Sequence, residues 1–235
     1  MADNKITFAY NYYNTPSAVP RSIERWRSYS DFVKQNLSIV LVDDGSSSKI
    51  APIVSPHKAE IGIPIDVYEI EEDIPWNACG AGNLAMKMAK TDWVFKIDID
   101  WLVSNEILEV LMKKQLDRNT FYTFDSIDSD TKLKLNSGPN LLLLTRDLFW
   151  SSGGYDEDFR GNYGYDDTWL WHRMRGYGAK HQHLNMYLEA IMRASQEHKL
   201  GRDTAINERL LEKKVKGEIP LSCERFRFKW SQREI

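Results

Sequence analysis

Two aspartates, Asp98 and Asp100, close the apolar run WVFKIDIDWL at residues 93–102. Side chains two apart on a strand share a face, so both carboxylates can converge on one object. Like charges side by side raise each other's pKa unless something positive stands between them. The pair therefore opens into water or holds a cation. Hard ions such as Mg²⁺ and Mn²⁺ take carboxylate and phosphate oxygens and keep positions open for water. Two acids one residue apart also arise by chance, and a solvated strand end accounts for this triplet taken alone.

Three other clusters carry possible chemistry, each with an ordinary structural alternative. VDDGSSSK delivers Asp43 and Asp44 into a Gly-Ser turn. An Asx turn explains them; so does a carboxylate that accepts donors from a base or ribose, as acids at strand ends do in dinucleotide folds. PWNACGAGNLAMKMAK, residues 75–90, is a Gly- and Ala-rich opening of a helix. Small residues there let a ligand approach the backbone and a helix N-terminus favours anions, but they also serve helix-on-sheet packing, and no phosphate-loop Lys-Ser/Thr follows. NYGYDDTWLWHRM sets Asp166 and Asp167 in a first helical turn, where free N–H groups stabilise acids whatever their function. The loop before it holds Trp150, Tyr155, Phe159, Tyr163 and Tyr165, either flat faces with polar tips suited to a sugar or a small aromatic core.

The elements that must position these residues emerge from pattern. KITFAY at 5, LSIVLVDDGS at 37, IDVYEI at 65 and DWVFKIDID at 92 read as buried strands. Helices are predicted between them at 17–34, 80–90 and 104–117. This alternation favours an α/β sheet of mainly parallel order, in which ligands bind outside the carboxyl ends of strands, where both acidic clusters lie. FYTF at 121 and NLLLLT at 140 read as strands, residues 151–167 as a long loop, and 166–178 and 203–216 as helices.

Composition limits the class. The chain has 235 residues, 42% hydrophobic, enough for one sizeable core, and its 31 Lys and Arg against 34 Asp and Glu give a net charge of -3. No global basic field advertises nucleic acid, so phosphate binding must be local. Cys79 and Cys223 have no metal-ligand spacing, the opening MADNKITFAY lacks a signal peptide's apolar core, and no apolar run is long enough for a bilayer. A cytoplasmic, soluble protein is the expectation.

In their order and spacing, VDDGS, NLAMKMAKTDWVFKIDID and GGYDEDFRGNYGYDDTWLWHRM resemble the nucleotide-diphospho-sugar glycosyltransferases of GT-A fold, especially the family 2 and β-1,4-galactosyltransferase-like groups. The resemblance spans about residues 5–200. It implies an α/β GT-A fold, a mixed and mainly parallel sheet flanked by helices. One domain, 1–235, is expected, with a donor-binding half to about 103, an acceptor and catalytic half at 104–200, and a C-terminal helix and tail at 201–235.

By the same resemblance Tyr10 and Asn11 lie near the nucleotide, Asp43 and Asp44 contact base and ribose, and Trp76, Asn77 and Asn83 cover the nucleotide and diphosphate. Asp98-Ile99-Asp100 matches the metal-binding DXD element, with Asp100 the direct ligand and Asp98 facing the ribose or the metal shell. YGYDD matches the family's WGGED, which makes Asp167 the base and Asp166 an acceptor-orienting partner, one methylene shorter than the usual Glu. Gly154, Tyr155, Tyr163 and Tyr165 become acceptor-binding candidates. His198 is favoured to complete the metal site over His181 and His183. The activity implied is Mn²⁺- or Mg²⁺-dependent transfer from a nucleotide-sugar donor, UDP by family habit, with inversion at the sugar. The acceptor is an unknown hydroxyl, on a glycan, a lipid-linked sugar or, third in order, a nucleic acid.

Two rivals share the fold. A sugar nucleotidyltransferase opens with a Gly-rich GxGxR loop and a Lys after the first strand, and FAYNYYNTP has neither. A binding module that lost catalysis is opposed by intact acids at 98, 100 and 167. The basic, aromatic stretch ERLLEKKVKGEIPLSCERFRFKWSQREI can dock on an acceptor polymer, nucleic acid included, or on an anionic membrane; the preferred reading is the solvated face of a closing helix and tail.

Overall fold

The computed structural model describes residues 4–136, 138–192, 194, 197, 200–222 and 224–235. Four apolar strands, β1 (Ile6–Tyr12), β2 (Leu37–Asp44), β3 (Ile65–Ile70) and β4 (Trp93–Asp98), lie parallel in the order β3-β2-β1-β4. They are buried on both faces, as parallel strands beneath helices must be. The later strands are β5 (Trp101–Leu102), β6 (Thr120–Asp128), β7 (Lys134–Leu135), β8 (Leu142–Thr145), β9 (Lys180–Ala190) and β10 (Trp230–Arg233). They extend the sheet to β10-β3-β2-β1-β4-β8-β6-β9-β5, with β7 on β6; β8 and β10 run against their neighbours while β9 runs parallel to β6. The expected mixed, mainly parallel α/β sheet is what the chain forms.

Alternation along the strands divides the core. Phe8, Tyr10, Ile39, Leu41, Phe95 and Ile97 face one way. They pack against Trp26 of α1 (Ala18–Arg27), Val33 of α2 (Asp31–Asn36), Val54 of α3 (Ala51–Val54) and Ile61 of α4 (Lys58–Ile61). Ala9, Val40, Val42, Val94, Leu142 and Leu144 face the other way, onto Leu84 and Ala85 of α5 (Ala78–Met88). The first layer is completed by Leu108 and Leu111 of α6 (Asn105–Lys113). The second takes in Leu148 of α7 (Arg146–Ser151) and Leu170 and Met174 of α8 (Asp166–Gly176). A last helix, α9 (Ala205–Val215), precedes the tail.

Several sequence expectations are corrected. The helix predicted over 17–34 is two, because the Ser30 hydroxyl accepts the Val33 N–H at 3.4 Å and caps a second start. Strand β4 stops at Asp98 rather than Asp100: the Ile99 N–H pairs with the Asn11 carbonyl at 3.1 Å and the chain turns. Strand β9 went unforeseen because KHQHLNMYLEA is polar and exposed over its first four residues. The tail, expected as a solvated face, adds β10 to the edge of β3. Among the described residues no helix is long and apolar enough to cross a membrane.

Candidate active site

The carboxyl ends of β1, β2 and β4 open on one side of the sheet, and α8 brings its first turn to the same place. There the side chain that organises the acids is one the motifs passed over. Lys96 of β4 is 4% exposed, a charge inside an otherwise apolar strand. Its Nζ stands 3.4 Å from Asp98 Oδ1 and 4.0 Å from Asp167 Oδ1, and 5.8 Å from the centre of the Tyr155 ring. Burial alone would push the ammonium down, but the charges of Asp98, Asp167 and Asp166 overturn this and lift it above lysine's ordinary value.

Asp98 gives its second oxygen to Asn140 Nδ2 at 2.8 Å. Asp100 sits in the turn after β4, fixed by the Ile191 N–H on its carbonyl at 2.7 Å. Burial and then the charge of Asp98 push the Asp100 carboxyl up. Asp166 is raised in the same way, by burial and then by Asp167. An acid held against its own charge is an oxygen donor that a hard cation relieves, so Asp100, with Asp98 beside it, fits a site for Mg²⁺ or Mn²⁺. Among the described residues, however, no group of three His, Cys, Asp or Glu is arranged around one point. His198 lies outside the described residues. His181 and His183 are elsewhere: they flank the Thr123 hydroxyl at 2.9 and 3.0 Å near the start of β9, whereas the far end of that strand, Ala190, pairs beside the Asp100 turn.

The small residues of α5 serve packing. Asn83 is wholly buried; its Nδ2 donates to the Tyr155 carbonyl at 3.1 Å and to Glu157 at 2.9 Å, and its Oδ1 accepts the Tyr155 N–H at 2.9 Å. A Cβ on Gly82 would stand 2.9 Å from the Tyr155 ring. Thus Asn83, expected over the diphosphate, staples the loop that carries Tyr155, and Tyr155, expected to meet the acceptor, is 1% exposed and donates its hydroxyl to Asp167 Oδ1 at 2.5 Å. Gly154 takes a positive φ of 65° while its carbonyl accepts from Arg173 at 2.7 Å.

Tyr10 turns into the core, 1% exposed, and its hydroxyl accepts Trp26 Nε1 at 3.3 Å. Tyr13 and Asn14, three and four residues on, line a cavity of ≈ 520 Å³ with Pro16, Ser47, Ser48, Glu197 and Leu200. Asp43 uses both oxygens on the loop after β2, accepting the Ser46 N–H at 2.9 Å and the Ile50 N–H at 3.0 Å. Asp44 accepts Asn77 Nδ2 at 2.7 Å, and burial pushes its carboxyl up to about 7. Asn11 lies in register with Asp98. The Oδ1 atoms of Asn11 and Asn77 are buried without a partner, two acceptors that call for donors.

Trp76 and Tyr163 meet with ring centres 4.6 Å apart, and Trp76 Nε1 donates to the Gly201 carbonyl at 2.9 Å. The Arg202 guanidinium lies 5.7 Å from the Tyr163 ring, and its charge reaches Asp100. Tyr165, at φ 67°, forms the left-handed corner before α8. Lys96, Tyr13, Asn14 and Asn140 stand with the nominated residues or line the cavity beside them, and sequence reasoning singled out none of the four. A lysine in the middle of an apolar strand was the one visible signal.

Comparison with known proteins gives the family and the fold. The family model described as Glycosyl transferase family 2 matches residues 6–191. No curated protein matches. Among solved structures, S. aureus TarS 1-349 in complex with UDP-GlcNAc is similar at a TM-score of 0.64 and 16% identity over 79% of this chain. The match spans 58% of that structure's length. Mannosyltransferase PcManGT from Pyrobaculum calidifontis, in complex with GDP-Man and Mn²⁺, is similar at 0.61 and 13% identity, over 90% of this chain and 69% of that one.

Proposed function

Since the chain belongs to glycosyl transferase family 2, we propose that it moves a sugar from a nucleotide-diphosphate donor, a UDP-sugar first among them, to an acceptor hydroxyl, with inversion and with Asp167 as the base. The observation that carries this reading is the approach of Asp167, on α8, to the strand end of Asp98 across one buried lysine. The acceptor oxygen bonds to the anomeric carbon as its proton passes to Asp167. The bond from that carbon to the diphosphate oxygen breaks, and its electron pair leaves with the nucleoside diphosphate. A general base of this kind contributes roughly 10²–10⁴-fold.

Asp100, with Asp98 beside it and His198 as a third candidate, would hold Mn²⁺ or Mg²⁺, whose charge would offset that of the departing diphosphate. The buried, unpartnered oxygens of Asn11 and Asn77 are suited to hydroxyl or N–H donors of the nucleotide. Tyr13 and Asn14 replace Tyr10 in this role, because they line an open cavity and Tyr10 is buried in the core. Asp44, hydrogen-bonded to Asn77, is assigned to the ribose, while Asp43 shapes the turn. Trp76 and Tyr163 wall the mouth, with the acceptor entering past Tyr163 and Asp166.

Calorimetry with UDP, GDP and dTDP, with and without Mn²⁺, tests the donor half. Binding of one nucleotide that tightens with Mn²⁺ and weakens at least tenfold in Asp100→Ala supports the reading; no binding of any of the three refutes it.

A further inference from the structure

We infer that Tyr155 is a positioning residue which, together with Lys96, holds Oδ1 of Asp167 and leaves Oδ2 as the atom that takes the acceptor's proton; this rests on the reading of Asp167 as the base. The Tyr155 hydroxyl donates to Oδ1 at 2.5 Å, and Lys96 Nζ stands 4.0 Å from the same oxygen. Both contacts fall on one oxygen, and neither falls on the other. A carboxylate restrained at one oxygen by a hydrogen bond and an ion pair points its second oxygen in a fixed direction, and general-base catalysis depends on that direction.

The ring that carries the hydroxyl is immobilised from every side. Asn83 brackets the Tyr155 backbone at its N–H and its carbonyl, 2.9 and 3.1 Å away. Gly82 leaves room for the ring where any Cβ would stand 2.9 Å from it, and Phe149 packs edge-on with ring centres 5.6 Å apart. At 1% exposure the ring meets no acceptor, so the hydroxyl acts only through Asp167. Burial, followed by the charges of Asp167 and Asp166, lifts the phenol well above its ordinary range, so it remains a donor. Glu157, two residues on, accepts the backbone N–H groups of Phe226 and Arg227 at 2.9 and 3.2 Å, which ties the same loop to the C-terminal tail. These contacts together hold the Tyr155 hydroxyl in place.

The test removes that hydroxyl and nothing else. Hydrolysis of UDP-GlcNAc and GDP-mannose, the sugar nucleotides held by the two neighbours, is measured with Mn²⁺ for the full chain, Tyr155→Phe and Asp167→Asn. Nucleotide binding by calorimetry and a thermal melt accompany each. Tyr155→Phe is expected to lower kcat about 10- to 100-fold, the weight of one hydrogen bond to a charged group, with KM and nucleotide Kd within about threefold and Tm within about 3 °C. A kcat within twofold of the parent, where Asp167→Asn is inactive, overturns the inference and leaves the transferase reading standing. A loss of kcat matched by loss of nucleotide binding or of fold assigns Tyr155 a structural role and also overturns it. If the parent chain releases nucleotide from neither donor and binds none, the transferase reading falls, and the role of Tyr155 with it.

Discussion

Replacing Lys96 with methionine keeps the length of the side chain and deletes its charge. The ammonium side chain is 5% exposed, 3.4 Å from Asp98 and 4.0 Å from Asp167. At an effective dielectric of about 20, unit charges at those separations attract by roughly 5 and 4 kcal/mol. Desolvating the lysine offsets most of that gain, so the pair adds little net stability of its own. The mutant is different, because it keeps the acids and loses their counter-charge. Removing one partner of a buried pair costs about 3–5 kcal/mol. The Asp98 and Asp167 side chains are 32% and 16% exposed, so water screens part of the penalty and the low end, about 3 kcal/mol, is expected. In a chain of this size that lowers Tm by about 6–12 °C. The assay is urea and thermal unfolding at pH 7 of Lys96→Met and of the double variant Lys96→Met/Asp167→Asn. The double variant should recover at least about 1 kcal/mol, since one of the two stranded carboxylates is gone. A Lys96→Met chain within about 0.5 kcal/mol of the parent would refute the reasoning, for it would mean that Lys96 is not the counter-charge of the site.

Three further outcomes are expected. Burial, helped by the charges of Asp43 and Asp73, holds Asp44 at about 7, above its value in the unfolded chain. The folded state therefore binds the extra proton between about pH 4 and 7, and this contribution to stability is present at low pH and lost as pH rises through 7. Asp44→Asn should thus gain on the parent across that window and hold a constant advantage above it, whereas a difference independent of pH would contradict the assignment. Gly82→Ala, a helix-favouring change on propensity alone, should instead lower turnover as Tyr155→Phe does, because its Cβ meets the Tyr155 ring; steady-state kinetics of the variant decide. Asn83→Ala strands the Tyr155 N–H and its carbonyl and takes one of two donors from Glu157 Oε1, which keeps the Phe226 N–H, and should cost about 2–4 kcal/mol in urea unfolding.

The fold was legible where burial leaves a simple pattern. IDVYEI at 65 is β3 to the residue, since Ile65, Val67, Tyr68 and Ile70 are buried while Asp66 and Glu69 stay half-exposed. KHQHLNMYLEA was not legible, because β9 owes its place to pairing with β6 and its first four residues face solvent. Within the site, residue types at strand ends located the acids, but which oxygen each offers depends on neighbours distant in sequence. Asp43 serves its own turn, Asp44 serves Asn77, and Asn83 and Tyr155 serve each other and Asp167. Tyr10 and Tyr13 differ by three positions in one polar-aromatic run, and only the pleat of β1, followed by the left-handed corner at Asn14, sends one inward and the other to the open cavity. Lys96 was concealed between apolar residues, where its meaning depends on α8 arriving from the far side of the chain.

The central claim is that this chain is a nucleotide-sugar transferase with Asp167 as its base. The most direct measurement is release of nucleoside diphosphate from a panel of UDP-, GDP- and dTDP-sugars in Mn²⁺, by the parent chain beside Asp167→Asn. The account predicts release from at least one donor, suppressed by a chelator and at least about 100-fold slower in Asp167→Asn, with that variant still binding the nucleotide. Equal rates in parent and variant, or no release and no nucleotide binding by the parent, would contradict it.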